Sequence, residues 1–358
     1  MKDNFEFYPG QKYKYQYTMT EKSWNYLYDK SVIYYRKGQL DQKEKLDVDV
    51  FIEKYNEIKK ENKKFIVMVE NTEAHWISIG THIRLHKVIE KAKIPSQNIL
   101  FITCDFHAQE QYDAWCEKMN IKQKINVMSY QAYLHRQSKI LNENPNLIKD
   151  IDFVEKKPSK KFICLLGKKR PLRTNIWNFI ENNNTIKEQG YVSYLGKDIV
   201  LPNSWQDVPN AEERIKNGES SVTLDDLAGY HQDSYFSVVA ETESGVFLTE
   251  KIIKPLLSGH PFIVLSEVGI GWLKLLKKYG FETFPEWFDE SYDEIEDPDV
   301  RFRFIQKEIR RLCNMSNEYL SELYESVKDK LIHNKNNFLN IDLVCEEQFI
   351  NDLMEISK

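Results

Sequence analysis

The sequence lacks the features that would assign it at once to a specialised class. No window of about 18 consecutive apolar residues occurs, which excludes a membrane-spanning helix. The opening stretch MKDNFEFYPGQKYKYQY has no apolar core of the kind a secretory signal needs. Cysteine is scarce. The five residues, at 104, 116, 164, 313 and 345, are odd in number, widely spaced and without a CxxC pair. That pattern excludes a disulfide framework and a zinc knuckle, and it places the thiols, reduced, in a cytosol-like compartment. Positive charge is not in excess, since 50 Lys and Arg stand against 55 Asp and Glu for a net charge of −5. A globally basic nucleic-acid binder gathers phosphate through surplus positive charge, so that class is disfavoured, although a local basic groove remains compatible. There is no internal repeat and no three-glycine dinucleotide fingerprint. No Asp-x-Asp triplet stands at a strand end, so no metal site is expected.

What is present is core-forming material. At 41% hydrophobic and 13% aromatic, the 358 residues exclude global disorder, and at roughly 150 residues per domain they suggest two domains with a cleft. Residues 1–60 are polar and Tyr-rich with scattered apolar pairs such as Val32-Ile33-Tyr34-Tyr35, and read as an N-terminal extension or a β-rich preamble packed on the first lobe, helical toward Lys60. Short apolar runs then alternate with helical periodicity. Lys64–Glu70, Asn98–Asp105 and Ile125–Tyr130 read as buried strands, with helices over Ile79–Lys93 and Gln109–Met119 between them. This predicts an α/β class of βαβ units, with a parallel sheet covered on both faces. A polar, Pro-containing stretch separates a first lobe, 61–155, from a second, 156–315. The second repeats the alternation: strands at Phe162–Leu166, Gly190–Leu195, Tyr235–Ala240 and Pro261–Leu265, helices at Leu172–Glu181, Thr249–Ser258 and Gly271–Tyr279. Residues 316–358 are helical, with breakers near Asn334. The acidic run Asp289–Asp299 reads as a solvated loop. Two Rossmann-like lobes and a C-terminal helical segment are the expected architecture.

Ligands of open parallel sheets sit at the carboxyl ends of the strands, and two such corners carry chemistry. After the strand ending at Glu241, a turn containing Ser244 and Gly245 leads to Thr249, a natural N-cap for a helix opening with Glu250 and Lys251. A helix N-terminus presents free N–H groups and the positive end of its dipole, which suits phosphate. Lys251 adds a mobile cation, Glu241 and Glu250 suit sugar hydroxyls, and Pro255 predicts a kink. The second corner, Gly167-Lys168-Lys169-Arg170-Pro171-Leu172-Arg173, follows a strand and opens a helix. There Arg173, with Lys169 nearby, could clamp a diphosphate through its planar guanidinium.

Thr249-Glu250-Lys251-Ile252, with Glu241 and Ser244 before it and Pro255-Leu256 and Gly259-His260-Pro261-Phe262-Ile263 after it, resembles the donor-binding signature of alpha-1,3-fucosyltransferases. Arg173-Thr174-Asn175-Ile176-Trp177 is similar to that family's upstream Arg element. The resemblance spans about residues 161–270. It implies a two-lobed GT-B fold, with the helical segment crossing back to the first lobe, a donor lobe at 156–315 and an acceptor side at 61–155. By resemblance Arg173 and Lys251 contact a nucleotide diphosphate and Glu250 the ribose, with Glu241 nearby. The sequence departs from the family at Ala240-Glu241-Thr242-Glu243-Ser244, where the family has Phe-Glu-Asn-Ser, and it carries no membrane anchor.

The implied activity is metal-independent, with inversion expected at the sugar carbon, a nucleotide sugar as donor, a glycan or other hydroxyl as acceptor and no bound cofactor. Inversion requires a base for the acceptor proton. Glu73, His75 and Glu70, just after the first apolar strand, are the favoured candidates, and Asp105 and His107 are others. Two further readings stay open: a DNA-modifying glycosyltransferase that uses the Tyr- and Lys-rich N-terminal region, and a non-catalytic nucleotide- or glycan-binding module.

Overall fold

The computed structural model describes residues 21–34, 46–70, 80–143, 157–202, 228–241, 245–267 and 269–357. These divide into two compact units. One holds the described residues up to 136, residues 245–247 and the chain from 342 on, and the other holds the described residues of 137–241 and 248–341.

In the first unit, part of the polar N-terminal stretch joins the sheet. It forms α1 (Glu21–Lys30) and β1 (Ser31–Tyr34), and β1 pairs in parallel with the next strand, Val32 opposite Ile66. The β-branched Val32 and Ile33 suit an edge strand. Helix α2 (Val48–Lys60) starts at Asp47, whose carboxylate accepts from the N–H groups of Asp49 and Val50. There follow β2 (Phe65–Glu70), α3 (Thr81–Ala92), β3 (Ile99–Thr103), α4 (Ala108–Lys118), β4 (Asn126–Ser129) and α5 (Ala132–Glu143). The sheet is all parallel in the order β1-β2-β3-β4. Phe51, Ile58, Leu85, Val88 and Tyr112 of α2 to α4 pack on Ile66, Met68, Ile99, Phe101 and Val127. The alternate positions Phe65, Val67, Leu100 and Ile102 are buried too, so both faces of β2 and β3 are covered. That is why these strands read as continuous apolar runs.

The second unit contains β5 (Phe162–Leu166), α6 (Pro171–Glu181), α7 (Asn184–Lys187), β6 (Gly190–Tyr194), α8 (Ala228–Gln232), β7 (Phe236–Glu241), α9 (Glu250–Leu257), β8 (Phe262–Ser266), α10 (Trp272–Lys278), α11 (Pro298–Cys313), α12 (Asn317–Ser326) and α13 (Lys328–Leu339). Its strands are parallel in the order β6-β5-β7-β8. The chain therefore winds outward from β5 to β6, then returns to β7 on the other side of β5. This reversal is the switch point of a doubly wound sheet, the place where such folds hold ligands. The last helix, α14 (Ile341–Ile356), belongs from Asp342 onward to the first unit, where Phe349 packs edge-on against Tyr130 and Lys64 Nζ donates to the Ser357 carbonyl.

Two local expectations are corrected. Within the acidic run, Asp293 is buried rather than solvated. Its carboxylate accepts the N–H groups of Trp272 and Leu273, both at 2.9 Å, and so caps α10. The Asn-rich stretch continues α13 instead of breaking it, because its amides are used against a neighbouring loop. Asn334 both accepts from and donates to the backbone of Glu282 at 2.8 Å, while Asn337 donates to the Tyr279 carbonyl. Residues 334 and 337 share one helix face, so the amides bind a partner rather than competing with the helix backbone.

Candidate functional site

Strands β5 and β7 are neighbours, with Cys164 opposite Val238, so their carboxyl ends, Leu166 and Glu241, lie side by side. This brings the two corners predicted from sequence together within the second unit. At the β5 corner, Lys168, Lys169 and Arg170 are exposed and Arg173 is buried. Helix α6 opens with Pro171 at its first turn, and its N-cap residue, Arg170, makes no side-chain cap. Arg173 Nη1 donates to the Lys168 carbonyl at 3.1 Å. The guanidinium lies over Gly167, where an added Cβ would come within 3.1 Å of Nη1. Glycine at 167 is thus what leaves room for the arginine. Beneath it the buried Cys164 thiol is pushed up to about 12 by desolvation, against the pull of Arg173. Thr174 Oγ1 contacts the Tyr194 hydroxyl at 2.7 Å, joining α6 to the end of β6.

At the β7 corner, Thr249 is the N-cap of α9. Its hydroxyl accepts the Lys251 N–H at 3.2 Å and donates to Glu241 Oε1. Lys251 is engaged by two carboxylates, where sequence reading expected a free cation. Its ammonium lies 2.9 Å from Glu250 Oε1 and 3.4 Å from Glu241 Oε2. Burial would lower its pKa, but the two carboxylates outweigh burial and hold it above the ordinary value, with Arg173 opposing. That opposition shows how close the two corners are. For Glu241, which is fully buried, desolvation dominates and raises the carboxyl above its usual range. For Glu250 desolvation pushes the same way, but the Lys251 charge overcomes it and the carboxyl is held low. Pro255 sits within α9 and withholds the N–H that would bond the Lys251 carbonyl. Beneath the helix is a cavity of about 40 Å³, lined in part by Leu165, Ser237, Val239, Lys254 and Pro255. That volume suits water rather than a sugar nucleotide.

The remaining candidates fare differently. Glu70 closes β2 opposite Thr103, at the carboxyl end of the first sheet. Glu73, His75 and Ser244 lie outside the described residues. Gly245 is buried and packs on Asp105 in the first unit. Asp105 is itself buried, and its Oδ1 accepts backbone N–H groups from His107 and Val246. His107 stands at the N-cap of α4 with Nδ1 3.2 Å from Glu110. One long-range pair escaped sequence reasoning. His135 Nδ1 lies 2.6 Å from Asp342 Oδ1, across 207 positions, and no local signal connects them. Among the described residues no group of three or more His, Cys, Asp or Glu is placed to hold a metal ion, and no helix is long and apolar enough to cross a membrane.

No protein-family model, curated protein or solved structure matches this chain.

Proposed function

We propose that the protein is a glycosyltransferase whose second unit binds a nucleotide-diphosphate sugar and which passes the sugar to a hydroxyl acceptor. The observation that carries this reading is the reversal of strand order at β5–β7, which sets the Arg173 corner beside the Thr249-capped start of α9. The resemblance of residues 161–270 to the alpha-1,3-fucosyltransferase donor signature supports it. In the reaction proposed, the acceptor oxygen forms a bond to the sugar's anomeric carbon as the bond to the diphosphate breaks. A base takes the acceptor proton, and the diphosphate leaves with the electron pair. Arg173 and the start of α6 supply counter-charge to that leaving group, with Lys251 close by but shared with Glu241 and Glu250.

Calorimetric titration with a panel of nucleoside diphosphates tests the reading. Wild type should bind at least one, and Arg173→Ala should weaken that binding by about 1.5–3 kcal/mol, the scale of a lost charged hydrogen bond. Lys251→Ala should weaken it less, because Glu241 and Glu250 already engage the ammonium. No binding to wild type, or undiminished binding in Arg173→Ala, sinks the proposal. Binding with no transfer and no donor hydrolysis would leave a binding module in place of the enzyme.

A further inference from the structure

Within the second unit, the end of β6 grips the start of α6 through one side chain. Tyr194 closes β6 opposite Leu166, the last residue of β5, and is buried. Its ring lies 5.6 Å from that of Trp177 on α6, inclined at 33°. It also lies over Gly196, where an added Cβ would stand 2.5 Å from Tyr194 Cζ, so glycine there leaves the ring its place. The backbone of Tyr194 is held as well, since its N–H donates to the Ile199 carbonyl at 2.8 Å and its carbonyl accepts the Ile199 N–H at 3.1 Å. The tyrosine hydroxyl is 2.7 Å from Thr174 Oγ1. Thr174 has one hydroxyl proton and gives it to the Arg170 carbonyl at 3.0 Å, so Tyr194 is the donor to Thr174. The same carbonyl accepts the Thr174 N–H at 2.9 Å, the bond that opens the helix. The residue before Thr174 is Arg173, whose Nη1 holds the Lys168 carbonyl at 3.1 Å. The segment from Lys168 to Thr174 is thus tied within itself by Arg173 and Thr174, and to the neighbouring strand by Tyr194.

We infer that Tyr194 is a positioning residue for the anion-binding corner at the end of β5. It acts through Thr174 rather than on the nucleotide, by fixing the threonine rotamer, the Arg170 carbonyl and so the first turn of α6 from which Arg173 projects. The functional consequence rests on the donor-site reading of this corner, whereas the anchor itself rests on the geometry at Thr174. A threonine hydroxyl bonded back to the carbonyl four residues earlier is ordinary in a helix. What is not local is the buried tyrosine that supplies its second hydrogen bond from an adjoining strand, in a side chain whose ring is already wedged by Trp177 and Gly196. Phenylalanine at 194 retains that ring without its proton, and serine at 174 retains the hydroxyl that receives it.

The test uses the full chain as wild type, Tyr194→Phe, Thr174→Val, the double variant and Thr174→Ser, with two readouts. Amide hydrogen exchange of peptides covering the first turns of α6 reads the anchor, and calorimetry with nucleoside diphosphates and with inorganic pyrophosphate reads its effect on the corner. In Tyr194→Phe, exchange in the first turn of α6 should quicken about fivefold relative to strands β5 and β7, and affinity for both probes should fall severalfold, the scale of losing one hydrogen bond. Thr174→Val should do at least as much, adding Tyr194→Phe to it should change little further, and Thr174→Ser should keep most of the wild-type behaviour, because the two hydroxyls act as one unit. Unchanged exchange in both Tyr194→Phe and Thr174→Val overturns the anchor. Faster exchange with undiminished affinity, or fully additive losses in the double variant, overturns the positioning role. If wild type binds neither probe, the donor-site reading fails and the positioning role falls with it, while the exchange readout still decides the anchor.

Discussion

Replacing Lys251 by methionine keeps the length of the side chain and removes its charge, which isolates the electrostatics of the β7 corner. The ammonium is 3.4 Å from Glu241 Oε2 and 2.9 Å from Glu250 Oε1. At an effective dielectric of about 20, the Glu241 contact alone corresponds to about 5 kcal/mol of gross attraction. The desolvation of Glu241, whose side chain is 0% exposed, stays in place when that attraction is lost. Removing one partner of a buried pair costs about 3–5 kcal/mol. The Lys251 side chain is 22% exposed and Glu241 can take up a proton, so the lower end applies, about 3 kcal/mol. For a unit of this size that is a melting-point loss of about 6–12 °C. The pH dependence has a definite sign. Burial already raises Glu241 above its ordinary carboxylate value, so the folded state takes up the proton more readily than the unfolded chain does. Stability from this group is therefore full below the unfolded value, and it declines as pH rises through the folded one. Without Lys251 the folded value rises further, and the decline continues to higher pH at about 1.4 kcal/mol per unit. Melting curves of wild type and Lys251→Met between about pH 5 and pH 8 should show a gap that widens with pH, and adding Glu241→Gln should close most of it at the upper end. A gap independent of pH, or none at about pH 8, would refute the account of Glu241 as a buried acid whose uptake of a proton Lys251 opposes.

Gly190→Ala would place a Cβ 2.3 Å from Phe162 Cζ and 2.6 Å from Cε2, on the adjoining strand, so overpacking should cost about 3 kcal/mol in a urea melt. Loss within a few tenths of a kcal/mol would show that β6 yields without cost. Asp293 is raised from 3.8 to about 6, with burial outweighing the three backbone N–H groups around it. Its contribution to stability is therefore full below the unfolded value and falls by about 3 kcal/mol as pH rises from about 4 to about 6. Asp293→Asn should flatten that slope in chemical denaturation across the same window, and an unaltered slope would count against this residue as its source.

The βαβ alternation was legible because buried parallel strands are apolar at every position. Phe65 to Met68 and Ile99 to Ile102 announce themselves without any partner being known. The N-cap at Thr249 and the start of α6 at Pro171 were equally local. What was not local was misread or missed. Strand β1 has only four residues in a polar context, and its identity comes from pairing with β2 rather than from its own pattern. Asp293 looks like any surface acid until α10, some twenty positions earlier, turns its N–H groups toward it. The Asn334 amide seems a helix breaker until Glu282 supplies its partners. At the β7 corner the residue types were legible but their mutual neutralisation was not, since Glu241 and Lys251 are ten positions apart in chain and joined only by the closure of the loop.

That neutralisation divides the labour between the two corners. One cation, Lys251, stands between two carboxylates at the start of α9, so the β7 corner has no surplus positive charge to offer an anion. The β5 corner has Arg173, three exposed basic residues and a helix start whose N-cap residue makes no side-chain cap. On the proposed reading, the diphosphate belongs at the β5 corner, and the hydroxyl-bearing parts of the donor belong at the β7 corner, where carboxylates accept hydrogen bonds from hydroxyls. The helix dipoles reinforce the split, because α9 starts with the Thr249 cap and the acidic Glu250, whereas α6 has no cap from its N-cap residue and no acid in its first turn. The reversal of strand order is what makes the division useful, since it sets an anion-seeking edge and a hydroxyl-seeking edge on adjacent strands of one rigid sheet.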